Sequence, residues 1–156
     1  MFDYEKVDYG IAIEMDQWAA QGLFLGGVIM DASSFHISIA TVSHCAYTNM
    51  FSGCTSLLYP PIISAVELVG ESNFNYMFSG CTSLLTAPTL PNIPLTYGCY
   101  FGMFDGCTSL TSAPALPSTT LATNCYGYMF GNCTSLTTTP NLPATNLANY
   151  CYSSMF

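Results

Sequence analysis

The feature that most constrains this chain is an internal repeat of 26 residues. The pair Met-Phe recurs at Met50, Met77, Met103, Met129 and Met155, with spacings of 27, 26, 26 and 26 residues. The run Cys-Thr-Ser-Leu follows it at Cys54, Cys81, Cys107 and Cys133. A repeat of this length predicts one supersecondary unit per repeat, stacked so that neighbouring units bury a shared core.

Each unit contains an apolar stripe with helical spacing. Tyr126, Met129, Phe130 and Cys133 lie at steps of i, i+3, i+4 and i+7, which predicts a short α-helix. A glycine follows the Met-Phe pair in the place of a helix C-cap, as at Gly106. The sequence therefore predicts one helix of about two turns in every repeat.

The rest of each unit predicts short extended segments. Prolines recur in register, as at Pro114 and Pro117, and each removes a backbone hydrogen-bond donor from any sheet. We expect a short parallel strand near 110–113, followed by an extended, proline-rich stretch.

Aliphatic, Met-Phe and cysteine positions recur between units and are predicted to form ladders in the core. They are Leu57, Leu84, Leu110, Leu136, Leu90, Leu116, Leu142, Met77, Phe78, Met103, Phe104, Met129, Phe130, Cys81, Cys107 and Cys133.

The repeat resembles the BspA-type leucine-rich repeats of bacterial surface proteins. The unit Met-Phe-x-Gly-Cys-Thr-Ser-Leu-Thr-x-Ala-Pro-x-Leu-Pro carries the resemblance, which extends over about 45–156. It implies an α/β repeat fold, a leucine-rich-repeat solenoid, displayed at the cell surface with a role in adhesion or protein binding. It implies no active site. Similar repeats occur in phage proteins, so a virion location is the alternative.

The domain prediction divides the chain at residue 45. Residues 1–45 carry alternating patterns, as in 35–43, and predict a β-rich capping segment. Residues 46–156 predict the array of four units and a truncated fifth. The chain stops inside a unit, so we expect either a fragment of a longer array or an end covered by a partner, including a second copy.

Charge and the length of the apolar runs exclude two kinds of interaction, nucleic-acid binding and membrane insertion. The chain has a net charge of −8, and Lys6 is its only Lys or Arg. It lacks the basic surface that supplies most nucleic-acid affinity, and it has no apolar run long enough to cross a bilayer. No signal peptide is recognisable at the amino terminus.

Candidate reactive residues do not assemble into a motif. The eight cysteines have no Cys-x-x-Cys spacing, so no metal site is predicted, and buried thiols or disulfides within a unit both stay open. His36 and His44 lie on an alternating segment without a nucleophile motif, and Glu14 and Asp16 lack a calcium-loop pattern. We predict no enzyme, no catalytic residue and no cofactor.

The tyrosines supply the remaining contact candidates. Most lie on the core stripe, whereas Tyr76 and Tyr128 lie off it and are predicted as exposed contacts. The sequence thus favours a non-enzymatic extracellular recognition or adhesion module that binds a protein or glycan. The alternative hypothesis is a structural component of a virion or filament, in which the ends of the array stack between copies.

Overall fold

The computed structural model describes residues 20–37, 41–65 and 67–156 of the 156-residue chain. Four strands of two residues each are present in this part: β1 is His36–Ile37, β2 is Thr41–Val42, β3 is Ile62–Ile63 and β4 is Glu67–Leu68. β1 pairs in parallel with β3, and β2 pairs in parallel with β4. The predicted strand near 110–113 is reduced to one parallel bridge between Ser112 and Thr138.

The dominant element is a ribbon of linked turns, which we call the turn ribbon. Successive turn ribbons stack in parallel, and they consist of residues 20–27, 45–54, 72–81, 98–107, 124–133 and 150–156. Within a ribbon, alternate N–H groups donate to the carbonyl three residues earlier, as Met50 does to Tyr47 at 3.2 Å. The N–H groups between them donate to the next ribbon, as Phe51 does to Met77 at 2.9 Å. The backbone hydrogen bonds are therefore divided between the ribbon and its neighbour.

A left-handed residue at every fourth position defines the ribbon. Gly98, Gly102 and Gly106 have φ values of 57°, 60° and 74°, and Tyr128 and Asn132, four residues apart in the next ribbon, have 53° and 56°. An α-helix requires φ near −63° at every residue. These backbone angles therefore exclude a helix in the ribbon.

The predicted fold class is accordingly wrong. An α/β leucine-rich-repeat solenoid requires a helix in each repeat, whereas the described residues contain no helix and only four short strands in two small sheets. The physical reason is a coincidence of periods. Over a stretch of only eight residues, such as 126–133, a four-residue turn period and the 3.6-residue period of a helix place the same apolar residues on one side. The apolar pattern of one unit therefore cannot distinguish the two structures.

Aromatic rings run through the core from ribbon to ribbon. Phe51, Phe78, Phe104 and Phe130 stack with ring centroids 5.6, 5.6 and 5.7 Å apart. A second column contains Tyr47, Phe74, Tyr100, Tyr126 and Tyr152 at 5.4 to 5.8 Å. Burying one such ring contributes about 1.5–3 kcal/mol, so the two columns are a major source of stability.

Most of the positions assigned to core ladders are buried. Leu136 and Cys133 are half-buried, and Leu142 is 44% exposed. All three lie in the last part of the chain, beside the final ribbon. The other leucine, Met-Phe and cysteine positions of that set lie in the interior.

Ribbon stacking begins before the first sequence repeat. Residues 20–27, which lie within the predicted capping segment, donate to residues 46–52 in the same way as later ribbons do. Ala20 and Ala32 are fully buried against this first part of the stack. The hydrogen-bonding pattern thus tolerates a sequence without the Met-Phe and Cys-Thr-Ser-Leu runs.

All backbone hydrogen bonds between neighbouring ribbons point the same way. The donor belongs to the earlier ribbon and the acceptor to the later one, as in Tyr100 to Cys125 and Tyr126 to Cys151. The peptide groups that join the ribbons therefore have parallel dipoles along the stack.

Candidate interaction surface

Three aromatic side chains form a strip on the outside of the turn ribbons. Tyr76, Phe101 and Tyr128 come from three successive ribbons, and we call them the aromatic strip. The ring centroids of Tyr76 and Phe101 are 5.6 Å apart and nearly perpendicular, and those of Phe101 and Tyr128 are 5.4 Å apart with a 52° tilt. Tyr128 is 49% exposed, whereas the other two rings are half-buried. The strip thus presents one open ring supported by two others.

Glycines without side chains leave the room that the strip occupies. A Cβ atom at Gly102 would lie 2.3 Å from Cε1 of Tyr76, and one at Gly127 would lie 2.9 Å from the ring of Phe101. Each ring therefore lies directly over a glycine of the following ribbon. Because little space remains on that side, the ring positions are fixed by the fold.

A carboxylate and an amide lie one turn beyond the strip, in the ribbons that carry Phe101 and Tyr128. Asp105 follows Phe101 by four residues, and Asn132 follows Tyr128 by four residues. Nδ2 of Asn132 donates to Oδ1 of Asp105 at 2.9 Å. Oδ1 also lies 2.8 Å from the place of a Cβ at Gly131, so another glycine makes room for this contact. We call these residues the Asp105–Asn132 pair.

Two further tyrosines lie on the other side of the strip. Tyr97 is 47% exposed and its hydroxyl accepts a hydrogen bond from Nδ2 of Asn124 at 3.3 Å. Tyr150, which occupies the place of Asn124 in the next ribbon, is 70% exposed. The outer face of the last ribbons therefore carries tyrosines, amides and one carboxylate.

The electrostatics of the strip are simple. Burial raises the pKa of Tyr76, and the nearby Asp105 and Tyr128 raise it further. The Tyr76 phenol therefore stays neutral and able to donate a hydrogen bond. Asp105 is the only charged residue between residues 72 and 133, so the face has no cation to attract an anionic ligand.

The cysteines form hydrogen-bonded columns in the interior. All eight are free, which decides between the thiol and disulfide alternatives in this structure. The Sγ atoms of Cys81 and Cys107 donate to the carbonyls of Phe51 and Phe78 at 3.1 Å. Burial raises the pKa of Cys81 to about 12 and that of Cys125 to about 11. These thiols are therefore protonated and poor nucleophiles at neutral pH.

The other candidate residues are dispersed. His36 is exposed on β1, whereas Nδ1 of His44 accepts a hydrogen bond from the N–H of Glu71 at 3.2 Å. Glu14 and Asp16 lie outside the described residues. Among the residues the structure describes, no three His, Cys, Asp or Glu side chains are grouped so as to hold a metal ion.

The structure also bears on membrane insertion. Within residues 20–37, 41–65 and 67–156, no helix is long and apolar enough to cross a bilayer.

The two tyrosines predicted as exposed contacts both lie in the strip, on either side of Phe101; Tyr128 is exposed, whereas Tyr76 is half-buried. Sequence reasoning missed Phe101 and the Asp105–Asn132 pair. A signal for them exists in Gly102, Gly127 and Gly131, because glycines at repeat positions that hold larger residues elsewhere leave room for neighbouring side chains.

No protein-family model matches the chain, and neither a curated protein nor a solved structure matches it. The resemblance to BspA-type repeats therefore stays a prediction from the sequence.

Proposed function

We propose that this protein is a non-enzymatic recognition module that binds a protein or glycan through the outer face of its turn ribbons. The observation that carries the proposal is the concentration of exposed tyrosines on this face. Tyr97, Tyr128 and Tyr150 all lie there, and the Tyr97 hydroxyl accepts a hydrogen bond from the side-chain amide of Asn124. Tyrosine combines a large apolar ring with a polar hydroxyl, and it is enriched in binding surfaces for this reason.

The ionisable groups of the interior support a non-enzymatic role. The shifted groups of the described residues are tyrosines and cysteines, and in each the pKa is raised, chiefly by burial. A catalytic nucleophile needs the opposite, a lowered pKa or an adjacent base. The chemistry of these side chains is therefore suited to packing.

The proposed location is the cell surface or another extracellular setting, with the virion as the alternative. Extracellular media oxidise exposed thiols. Burial raises the pKa of Cys81, Cys125 and Cys133, which keeps these three thiols in the unreactive protonated form, so their free state is compatible with that setting.

The test compares binding to printed arrays of purified extracellular proteins and of glycans. We expect saturable binding by the unchanged chain, a loss of at least tenfold in affinity for the double variant Tyr128→Ala/Tyr150→Ala, and no loss for Tyr59→Ala. Tyr59 is the matched control because it is 48% exposed but lies outside the ribbons. Absence of saturable binding on both arrays, or equal binding by the double variant, would contradict the proposal.

A second candidate function is self-association as a structural component of a filament or virion. The common direction of the backbone hydrogen bonds between ribbons favours it, because backbone donors on one side of the stack match backbone acceptors on the other. The apolar ring of Phe156, stacked on Phe130 at 5.7 Å and 60% exposed, would add contact area. Sedimentation velocity over a hundredfold concentration range tests it. A species that stays monomeric throughout would rule it out.

A further inference from the structure

We propose that the ligand of the aromatic strip is a neutral carbohydrate, held by ring stacking on Tyr128 and by hydroxyl hydrogen bonds to the Asp105–Asn132 pair. This inference rests on the proposed recognition function and specifies the chemical class of its ligand.

The first argument is the combination of groups. The face of an aromatic ring carries partial negative charge and attracts C–H groups that carry partial positive charge, such as those on one face of a sugar ring. Tyr128 offers an open ring face, and Asp105 and Asn132 offer hydrogen-bonding groups one turn away along the ribbons. A sugar presents both kinds of partner at once, with C–H groups on its faces and hydroxyl groups around its edge.

The second argument is that the polar pair is already positioned. Oδ1 of Asp105 accepts from Asn132, which fixes the carboxylate and leaves its second oxygen without a partner among the described residues. Asn132 is exposed, and its side-chain oxygen Oδ1 likewise has no partner among the described residues. An ionised carboxylate only accepts hydrogen bonds, while an amide both donates and accepts. Adjacent sugar hydroxyls match this set because each can donate to one group and accept from another.

The third argument is rigidity. Tyr76 and Phe101 lie over Gly102 and Gly127, and Tyr128 packs against Phe101. A ligand that contacts Tyr128 therefore meets a ring supported on one side, and the entropy lost on binding is small. Weak, directional contacts such as those to a sugar benefit most from a surface that is already ordered.

Charge determines which carbohydrates fit. Residues 72–133 carry Asp105 and no Lys, Arg or His. A sialylated or sulfated glycan would bring its anion towards this carboxylate without a compensating cation, which is unfavourable. The site is therefore expected to select neutral glycans over anionic ones.

The composition of the face favours a glycan over a protein partner. The cores of protein interfaces are apolar and depleted of charged residues. In the ribbons 98–107 and 124–133, the one exposed large hydrophobic residue is Tyr128; Tyr97 comes directly before the first of these ribbons and Tyr150 begins the next one. Aliphatic residues that would fill the centre of a protein interface are lacking among the exposed residues of these ribbons.

Isothermal titration calorimetry tests the inference with stated probes. The chain, kept in reductant, is titrated with maltohexaose, cellohexaose, mannohexaose and chitohexaose, and with a heparin hexasaccharide as the anionic comparison. We expect binding of at least one neutral hexasaccharide, at least tenfold weaker binding of heparin, and a loss of at least tenfold in Tyr128→Ala and in Asp105→Asn. Tyr59→Ala is expected to bind as the unchanged chain does, and matching thermal unfolding curves show that the variants are folded.

The outcomes separate the two proposals. Binding of none of the four neutral probes, or preferential binding of heparin, overturns the carbohydrate inference. If a purified protein from the printed array then binds, and the double variant Tyr128→Ala/Tyr150→Ala abolishes this binding, the recognition function is supported although the carbohydrate inference is overturned. Neutral-glycan binding that survives both Tyr128→Ala and Asp105→Asn also overturns the inference, because the ligand is then held elsewhere.

Discussion

At the residue scale, the amino acid at one position of a repeat determines which side chains its neighbouring repeats can place on the surface. Tyr76, Gly102 and Tyr128 occupy the same left-handed position in three successive ribbons, with φ between 51° and 60°. The glycine between the two tyrosines gives the ring of Tyr76 its place. The identity of one residue in a repeat therefore decides the position of a side chain in the preceding repeat.

Gly102→Ala is expected to destabilise the protein more than Gly26→Ala does. Both glycines have positive φ, 60° and 65°, so both substitutions incur a backbone cost of about 1–2 kcal/mol. Only at Gly102 does the new methyl group also clash, 2.3 Å from the ring of Tyr76, whereas at Gly26 nothing lies within 4 Å. We expect an extra loss of about 1–3 kcal/mol in the free energy of unfolding. Urea unfolding measures it, and equal losses would contradict the described packing.

Tyr100→Phe is expected to leave stability unchanged or to raise it by up to about 1 kcal/mol. The Tyr100 hydroxyl is buried and has no hydrogen-bond partner among the described residues. Phe74 fills the same position in the preceding ribbon, so the column accepts a ring without a hydroxyl. The midpoint of thermal unfolding is the measurement. A loss above about 1 kcal/mol would show that the hydroxyl has a partner.

At the element scale, the turn ribbon shows where sequence reasoning succeeds and where it fails. The stacking of units follows from the 26-residue repeat, because a short unit cannot bury its own apolar side. The helix within each unit does not follow, because Tyr126, Met129, Phe130 and Cys133 fit a four-residue period as well as a 3.6-residue one. Gly98, Gly102 and Gly106, spaced by four residues, carry the information that separates the two periods.

Far-ultraviolet circular dichroism distinguishes a turn ribbon from a helix. An array with a two-turn helix in each repeat would give the paired minima near 208 and 222 nm that helices produce. The ribbon has a left-handed residue at every fourth position, and half of its backbone N–H groups donate to the next ribbon instead of within their own. We therefore expect no such pair of minima. A helical spectrum would contradict the ribbon. Heating the same sample provides the unfolded reference.

The strip and the pair could be predicted only in part. The positions of Tyr76 and Tyr128 follow from their place off the apolar stripe. The contact between Asp105 and Asn132 depends on the register of adjacent ribbons, where a residue faces another 26 or 27 positions later. That register is set by hydrogen bonds between backbones, and side-chain patterns alone do not determine it.

At the scale of the whole molecule, stability is tied to the protonation of the interior. Cys81, Cys125 and Tyr47 stay neutral when folded, because burial raises their pKa values to about 12, 11 and 12. In the unfolded chain, the thiols ionise near pH 9 and the phenol near pH 10. Above about pH 9 to 10, ionisation of these groups favours the unfolded state. The free energy of unfolding is therefore greatest below about pH 9 and declines as the pH rises towards 12.

The midpoint of urea unfolding in reductant is therefore expected to fall steadily from pH 9 to pH 11. The Cys81 thiol alone contributes a slope that approaches about 1.4 kcal/mol per pH unit in this range. The variant Cys81→Ala is the control, and its midpoint is expected to fall less steeply. A midpoint that is constant over this range, or an identical slope in the variant, would contradict burial of the protonated thiols.

The common direction of the backbone hydrogen bonds between ribbons restricts the symmetry of any assembly built through them. A two-fold axis would bring identical edges together, so that N–H groups would face N–H groups or carbonyls would face carbonyls. Only a head-to-tail contact, in which one end of the stack meets the opposite end of the next copy, pairs a donor edge with an acceptor edge. Copies of this protein that associate through their ribbons would therefore form open polar chains or closed rings, and a symmetric dimer would have to use another surface.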